Sequence, residues 1–113
     1  MSDSESQRDQ VLEFIRDRVK RRRVWWTYHV NMRLGERSIT RRMILDSADR
    51  YEIIESYPRD KYLPSYLIYT EEQGIQFHIL IAVDTADDNV RIITAYRPDP
   101  NHWDNELKIR RRE

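Results

Sequence analysis

A chain of 113 residues is the length of one domain and supplies one hydrophobic core. Hydrophobic residues make up 39% and charged residues 35%, with two glycines and four prolines, which excludes low-complexity, collagen-like and linker classes. The absence of cysteine excludes disulfides, thiol catalysis and zinc held by sulfur, and three scattered histidines (29, 78 and 102) offer no metal site; neither metal nor cofactor is expected.

The net charge of +0 hides an uneven distribution. From Arg16 to Arg42 there are ten Lys/Arg against two acids, and Lys108 to Arg112 adds four bases and no acid. Between Asp46 and Glu106 five bases face thirteen acids. Such asymmetry fits either polyanion binding or two solvated faces. No stretch approaches the roughly 20 apolar residues of a membrane helix. The start, MSDSESQRDQ, has no apolar signal segment, so a cytoplasmic address without membrane contact is expected.

Residues 1–7 carry no apolar side chain beyond Met1 and are expected to be a disordered lead, with one domain over 8–113. From about Asp9, Val11, Leu12, Phe14, Ile15 and Val19 recur at helical spacing. The basic run Lys20-Arg21-Arg22-Arg23 falls where a helix C-terminus favours cations, a structural reason that competes with nucleic-acid binding. Val24 to Tyr28 reads as a short strand or extended segment, and His29 to Arg37 as a short helix weakened by Gly35. Ser38 or Thr40 caps a third helix carrying Met43, Ile44, Leu45 and Ala48.

After Asp49 the period changes to two. Strands are expected over Tyr51–Tyr57, Tyr66–Thr70, Ile75–Val83 and Val90–Tyr96, the third apolar enough to be covered on both faces. Short turns make them an antiparallel meander. Asp99-Pro100-Asn101 begins a last short helix with Trp103 and Leu107 four apart. The fold class is therefore α+β: N-terminal helices packed on a mostly antiparallel sheet of about four strands, then a short C-terminal helix.

Both glycines are isolated, and no phosphate loop, nucleophile elbow or spaced metal motif occurs. His, Arg and Tyr residues remain. His29, Arg33 and Arg37 share one stripe if residues 29–37 are helical, an arrangement able to handle phosphate, or else a capping histidine beside solvated arginines. Thr94, Tyr96 and Arg97 end the last strand, with Tyr96 suited to a groove rim. His78, on an apolar strand, fits either a hydrogen-bonded core histidine or a site residue. Arg110-Arg111-Arg112 is either a phosphate contact or a frayed terminus. Trp25, Trp26 and Trp103 are core residues by default, with base stacking as the alternative.

Several blocks together resemble the domain-of-unknown-function 4258 family: Tyr28-His29-Val30-Asn31-Met32-Arg33, Arg37-Ser38-Ile39-Thr40, Glu52 through Pro58, Phe77-His78-Ile79-Leu80, and Ile92 through Asp99 with Trp103. The resemblance covers about residues 24–112, and its specificity lies in the order and spacing of the blocks. The family looks related to small bacterial toxins of the RelE, ParE and BrnT kind, some members lying beside antitoxins. The resemblance implies a helix-plus-sheet toxin fold and messenger-RNA endonuclease activity, with RNA and a cognate antitoxin as partners. His29, Arg33, His78 and Tyr96 match recurring family positions, whereas the helical N-terminus over 8–23 is longer than in many members.

The expected function is thus a metal-independent endoribonuclease of the toxin type. His29 acts as base or acid, Arg33 and Arg37 stabilise phosphate charge, Tyr96 or Arg97 orients the RNA or assists the leaving group, and Arg37, Arg97 and His78 are the expected RNA contacts. The rival is a non-catalytic module of the same fold that binds protein or nucleic acid, which the acidic second half favours.

Overall fold

The computed structural model of the protein describes residues 3–27 and 39–111. Helix α1 spans Asp3–Lys20 and so takes in most of the polar lead as well as the apolar positions from Val11 onward. Ile15 and Val19, one turn apart, are fully buried, while Phe14 carries the Arg18 guanidinium 4.2 Å above its ring. The helix stops in a left-handed cap. Arg22 sits at φ +63°, with its N–H bonded to the Val19 carbonyl (3.0 Å) and that of Arg23 to Arg18 (2.8 Å).

Strand β1 (Val24–Trp26) follows at once. Helix α2 (Arg41–Asp46) is capped by Thr40, whose hydroxyl oxygen accepts the Met43 N–H at 3.1 Å. A 3-10 turn at Ala48–Arg50 leads into the sheet, and the buried Tyr51 hydroxyl donates to the Ile44 carbonyl at 2.6 Å, tying α2 to it. Strands β2 (Glu52–Tyr57), β3 (Ser65–Glu72), β4 (Ile75–Asp84) and β5 (Asn89–Tyr96) form the expected antiparallel meander. Gln73 and Gly74, at φ +55° and +76°, make the β3–β4 turn of the type whose twist suits a two-residue hairpin.

Two expectations are corrected. The sheet has five strands in the order β1-β5-β4-β3-β2 and is mixed, because β1 pairs in parallel with β5, Val24 opposite Val90. The short segment at Val24 is therefore an edge strand rather than a lead-in. The C-terminal helix is also absent from residues 99–111. Asp104 instead turns the chain back, its carboxylate accepting the N–H of Lys108 (2.9 Å) and of Ile109 (3.3 Å), with Leu107 at φ +63°. A side chain that captures local backbone donors competes with a helix, and here it wins. Trp103 pairs with Arg110 across the resulting loop.

Both helices lie on one face of the sheet. Ile15 and Val19 of α1 and Met43 and Ile44 of α2 meet Ile53, Ile68, Phe77, Ile79, Ile81, Val90 and Ile92 in one buried cluster. Among the described residues no helix is long and apolar enough to cross a membrane.

Candidate functional site

The side chains that alternate away from the helices form three rows across the second face, set by the strand register. Glu52, Tyr69, His78 and Tyr96 make the first row, Glu55, Leu67, Leu80 and Thr94 the second. The third runs across all five strands as Tyr57, Ser65, Ala82, Arg91 and Trp25. The C-terminal segment folds over the first row, which leaves the second and third as the floor of an open trough.

Beneath that segment His78 is fully buried. Trp103 stands edge-on to its ring at 4.5 Å between centroids, with Tyr96 at 5.4 Å and Tyr69 at 6.3 Å. Nε2 lies 2.6 Å from the Leu107 carbonyl and Nδ1 lies 3.4 Å from the Tyr96 hydroxyl. A carbonyl can only accept, so Nε2 carries the proton and the Tyr96 hydroxyl donates to Nδ1. Burial pushes the imidazole pKa down against the opposing pull of the Leu107 carbonyl and Glu55, so the ring is neutral at pH 7. Burial also raises the Tyr96 phenol, which keeps its proton.

Beside Tyr96, Arg110 reaches back over 55 residues to Glu55. Its Nε and Nη2 donate to the two carboxylate oxygens at 2.7 and 3.1 Å, and the Tyr57 hydroxyl donates to the same carboxylate. Burial raises the Glu55 carboxyl, but the hydrogen bonds from Arg110 and Tyr57 outweigh it and hold the group below the usual carboxylate range. The hydrogen bond to Glu55 pushes Arg110 upward in turn, so the pair stays charged. Lys108 bonds Glu52 at 3.0 Å and lies over the Tyr69 ring, a second tie between segment and sheet.

The trough has two connected hollows that share Asp60, Ser65 and Leu80. One, of about 360 Å³, is walled by Tyr57, Thr94, Tyr96 and Arg110; the other, of about 370 Å³, by Thr27, Lys61, Tyr62 and Arg91. A floor of Leu67, Leu80 and Ala82 with hydroxyl, phenol and guanidinium walls suits a ligand having flat apolar parts and anionic groups at the guanidiniums, while the shared Asp60 carboxylate, accepting from the Ser65 hydroxyl at 2.6 Å, keeps anions from the middle.

Of the residues singled out from sequence, Tyr96 stands in the first hollow and His78 directly behind it. Arg97 is exposed just beyond β5 and lines neither hollow. His78, enclosed with both nitrogens engaged, is the hydrogen-bonded core histidine rather than an RNA contact. His29, Arg33 and Arg37 lie outside the described residues. Glu55, Tyr57 and Arg110 form a set that no sequence motif marks. The alternation of Glu55 and Tyr57 on one strand was visible, but their partner is remote in sequence. Among the described residues no three His, Asp or Glu side chains gather as a metal site requires.

The model of one protein family matches residues 26–97, well over half the chain. The protein belongs to the family described as domain of unknown function DUF4258. The family segment contains Glu55, Tyr57, His78 and Tyr96, whereas α1 and the segment carrying Trp103, Leu107 and Arg110 lie outside it. No curated protein and no solved structure matches the chain.

Proposed function

We propose that the protein is a metal-independent endoribonuclease of the toxin type, with RNA lying in the trough on the open face of the sheet. One observation carries the reading: a protonated Tyr96 phenol, backed by a neutral His78, stands beside the Arg110 guanidinium in an open hollow. In this reaction the ribose 2′-oxygen attacks phosphorus and the bond to the 5′-oxygen breaks. The products are a cyclic phosphate and a free 5′-hydroxyl. Tyr96 releases its long hydrogen bond to His78 Nδ1 (3.4 Å), turns its single O–H to the leaving oxygen and gives up that proton, and Arg110, anchored by Glu55, meets charge building on the phosphorane. His78 is a positioning residue that fixes the phenol. The base that takes the 2′-proton remains His29, which follows the trough-lining Thr27 by two residues in the sequence, with Arg33 and Arg37 as its companions. Kinship with RelE-like toxins, a cognate antitoxin and a cytoplasmic site of action belong to the same proposal.

The test is inducible expression in bacteria of the wild type, Tyr96→Phe and the His29→Ala/Arg33→Ala pair, with RNA integrity followed in cells and with purified protein. Growth arrest with RNA loss is expected for the wild type. Tyr96→Phe keeps the ring and its packing, and should cut slower by about a hundredfold or more. Undiminished cleavage by folded Tyr96→Phe removes the phenol from the chemistry. The enclosure of His78 and the Glu55 partner already held by Arg110 favour a second reading, a module that binds without cutting. Binding of RNA by wild-type protein that leaves the strand intact would decide for it.

A further inference from the structure

We infer that the end of the trough remote from Tyr96 is a stacking platform for unpaired bases, built from Trp25, Tyr62 and Arg91, so that the ligand is a single strand. The inference rests on RNA as the occupant of the trough and names how it is held.

Trp25 is opposite Arg91 in the parallel pairing of β1 and β5 and projects to the trough side of the sheet. Its neighbours Val24 and Trp26 turn to the helix side and pack against the core, yet Trp25 is 59% exposed. The Arg91 guanidinium lies 5.8 Å from its ring and is steered by Asp84 at 2.9 Å. A planar cation beside an indole at a sheet edge offers two flat surfaces to a third flat group.

Tyr62 lines the same hollow as Arg91. It is 90% exposed, the most exposed large hydrophobic residue among the described residues, and its backbone sits at φ +78°. A tyrosine is a poor choice there by both measures. It gains no packing, and the left-handed region favours glycine or asparagine. Lys61 places its ammonium 5.5 Å from the ring, on the same rim. A strained residue presenting an aromatic ring to solvent above a hollow is the arrangement that base stacking uses, because every base has a face to offer. In a duplex those faces are already stacked on each other and unavailable, so the platform selects unpaired RNA.

The experiment uses the full chain in a Tyr96→Phe background, so that the strand survives. Short single-stranded oligoribonucleotides and a duplex of the same sequence are titrated while tryptophan fluorescence is followed. Trp25 is exposed on the trough side whereas Trp103 is buried and Trp26 is half-buried against the core on the helix side, so quenching should report mainly on Trp25. Single strands are expected to quench, and the duplex to bind at least tenfold more weakly. Trp25→Ala and Tyr62→Ala, followed by the anisotropy of a dye-labelled strand because the first removes the reporting indole, should each raise Kd about tenfold or more, with Trp25→Phe recovering part of the loss. Unchanged melting of the variants shows that the effect is not misfolding. If the two alanine variants bind the single strand as tightly as the parent, or the duplex binds equally well, the platform is wrong, while cleavage by the wild type would still stand. If the wild type neither binds nor cuts single strands, both readings fall together.

Discussion

Tyr62 holds a left-handed backbone without any packing to justify it, and such strain is kept only where something else depends on the side chain. Replacing it with glycine should therefore stabilise the protein by about 1 kcal/mol, seen as a higher urea midpoint, while weakening single-strand binding. A variant that lost stability would show that the ring packs usefully after all. Tyr51 is the converse case. Its buried hydroxyl satisfies the Ile44 carbonyl at the end of α2, and burial holds the phenol far above its ordinary range. Tyr51→Phe leaves that carbonyl with only the longer hydrogen bond from the Ser47 hydroxyl (3.3 Å) and should cost about 0.5–1.5 kcal/mol by the same measurement. RNA binding in the trough, on the opposite face of the sheet, should be unaffected.

At the scale of elements, the C-terminal segment is held to the sheet by contacts that weaken in acid. His78 has its pKa lowered by burial, so as pH falls below about 6.5 the unfolded chain takes up the proton first and stability drops until the folded pKa is passed. Glu55 is also depressed, so its contribution is present above about pH 4.3 and fades below it, through the folded value. Both terms have the same sign but act in separate windows, so melting temperature should hold above about pH 6.5, fall below it through His78 and fall again below about pH 4.3 through Glu55. His78→Gln, which keeps a donor for the Leu107 carbonyl but does not titrate, should flatten the upper part of that fall. A wild type equally stable at pH 5 and pH 7.5 would contradict the burial argument. The same segment marks where reading from sequence ended. Strands β2 to β5 were legible because period-two alternation and short turns are local signals, and Thr40 was legible as a cap. The last helix was not, since the Trp103–Leu107 spacing looked helical while the competing bonds to Asp104 are invisible without coordinates. The parallel pairing of β1 rests on three residues whose partners lie 66 positions away, which no local pattern encodes. In the candidate site, strict alternation along β5 puts Tyr96 on the face of Val90 and Ile92, whereas the register shift opposite Leu80 and Ile81 turns it to the side of His78, and Arg110 looked like a loose tail because its partner Glu55 is remote.

At the scale of the molecule, much of the charge asymmetry among the described residues is consumed by folding. Arg18 and Arg23 converge on Asp88 in the β4–β5 turn, Lys20 pairs with Asp49, and Arg21 returns to Asp17. The basic run after α1 thus clamps the helix end to the acidic second half instead of forming a free cationic patch, and the Asp88 carboxyl is accordingly held below its usual range by Arg18. In the trough, Arg91 faces Asp84 and Arg110 faces Glu55, so each cation presents an anion with only part of its charge. Binding there should come mainly from stacking and shape. For a single strand, the logarithm of affinity falls with the logarithm of salt by about 0.7 for each phosphate neutralised. Two contacts predict a slope near −1.4, whereas ten bases acting together would predict about −7. Fluorescence titrations between 50 and 300 mM salt separate these cases, and a slope steeper than about −4 would move the RNA from the trough to the basic N-terminal half.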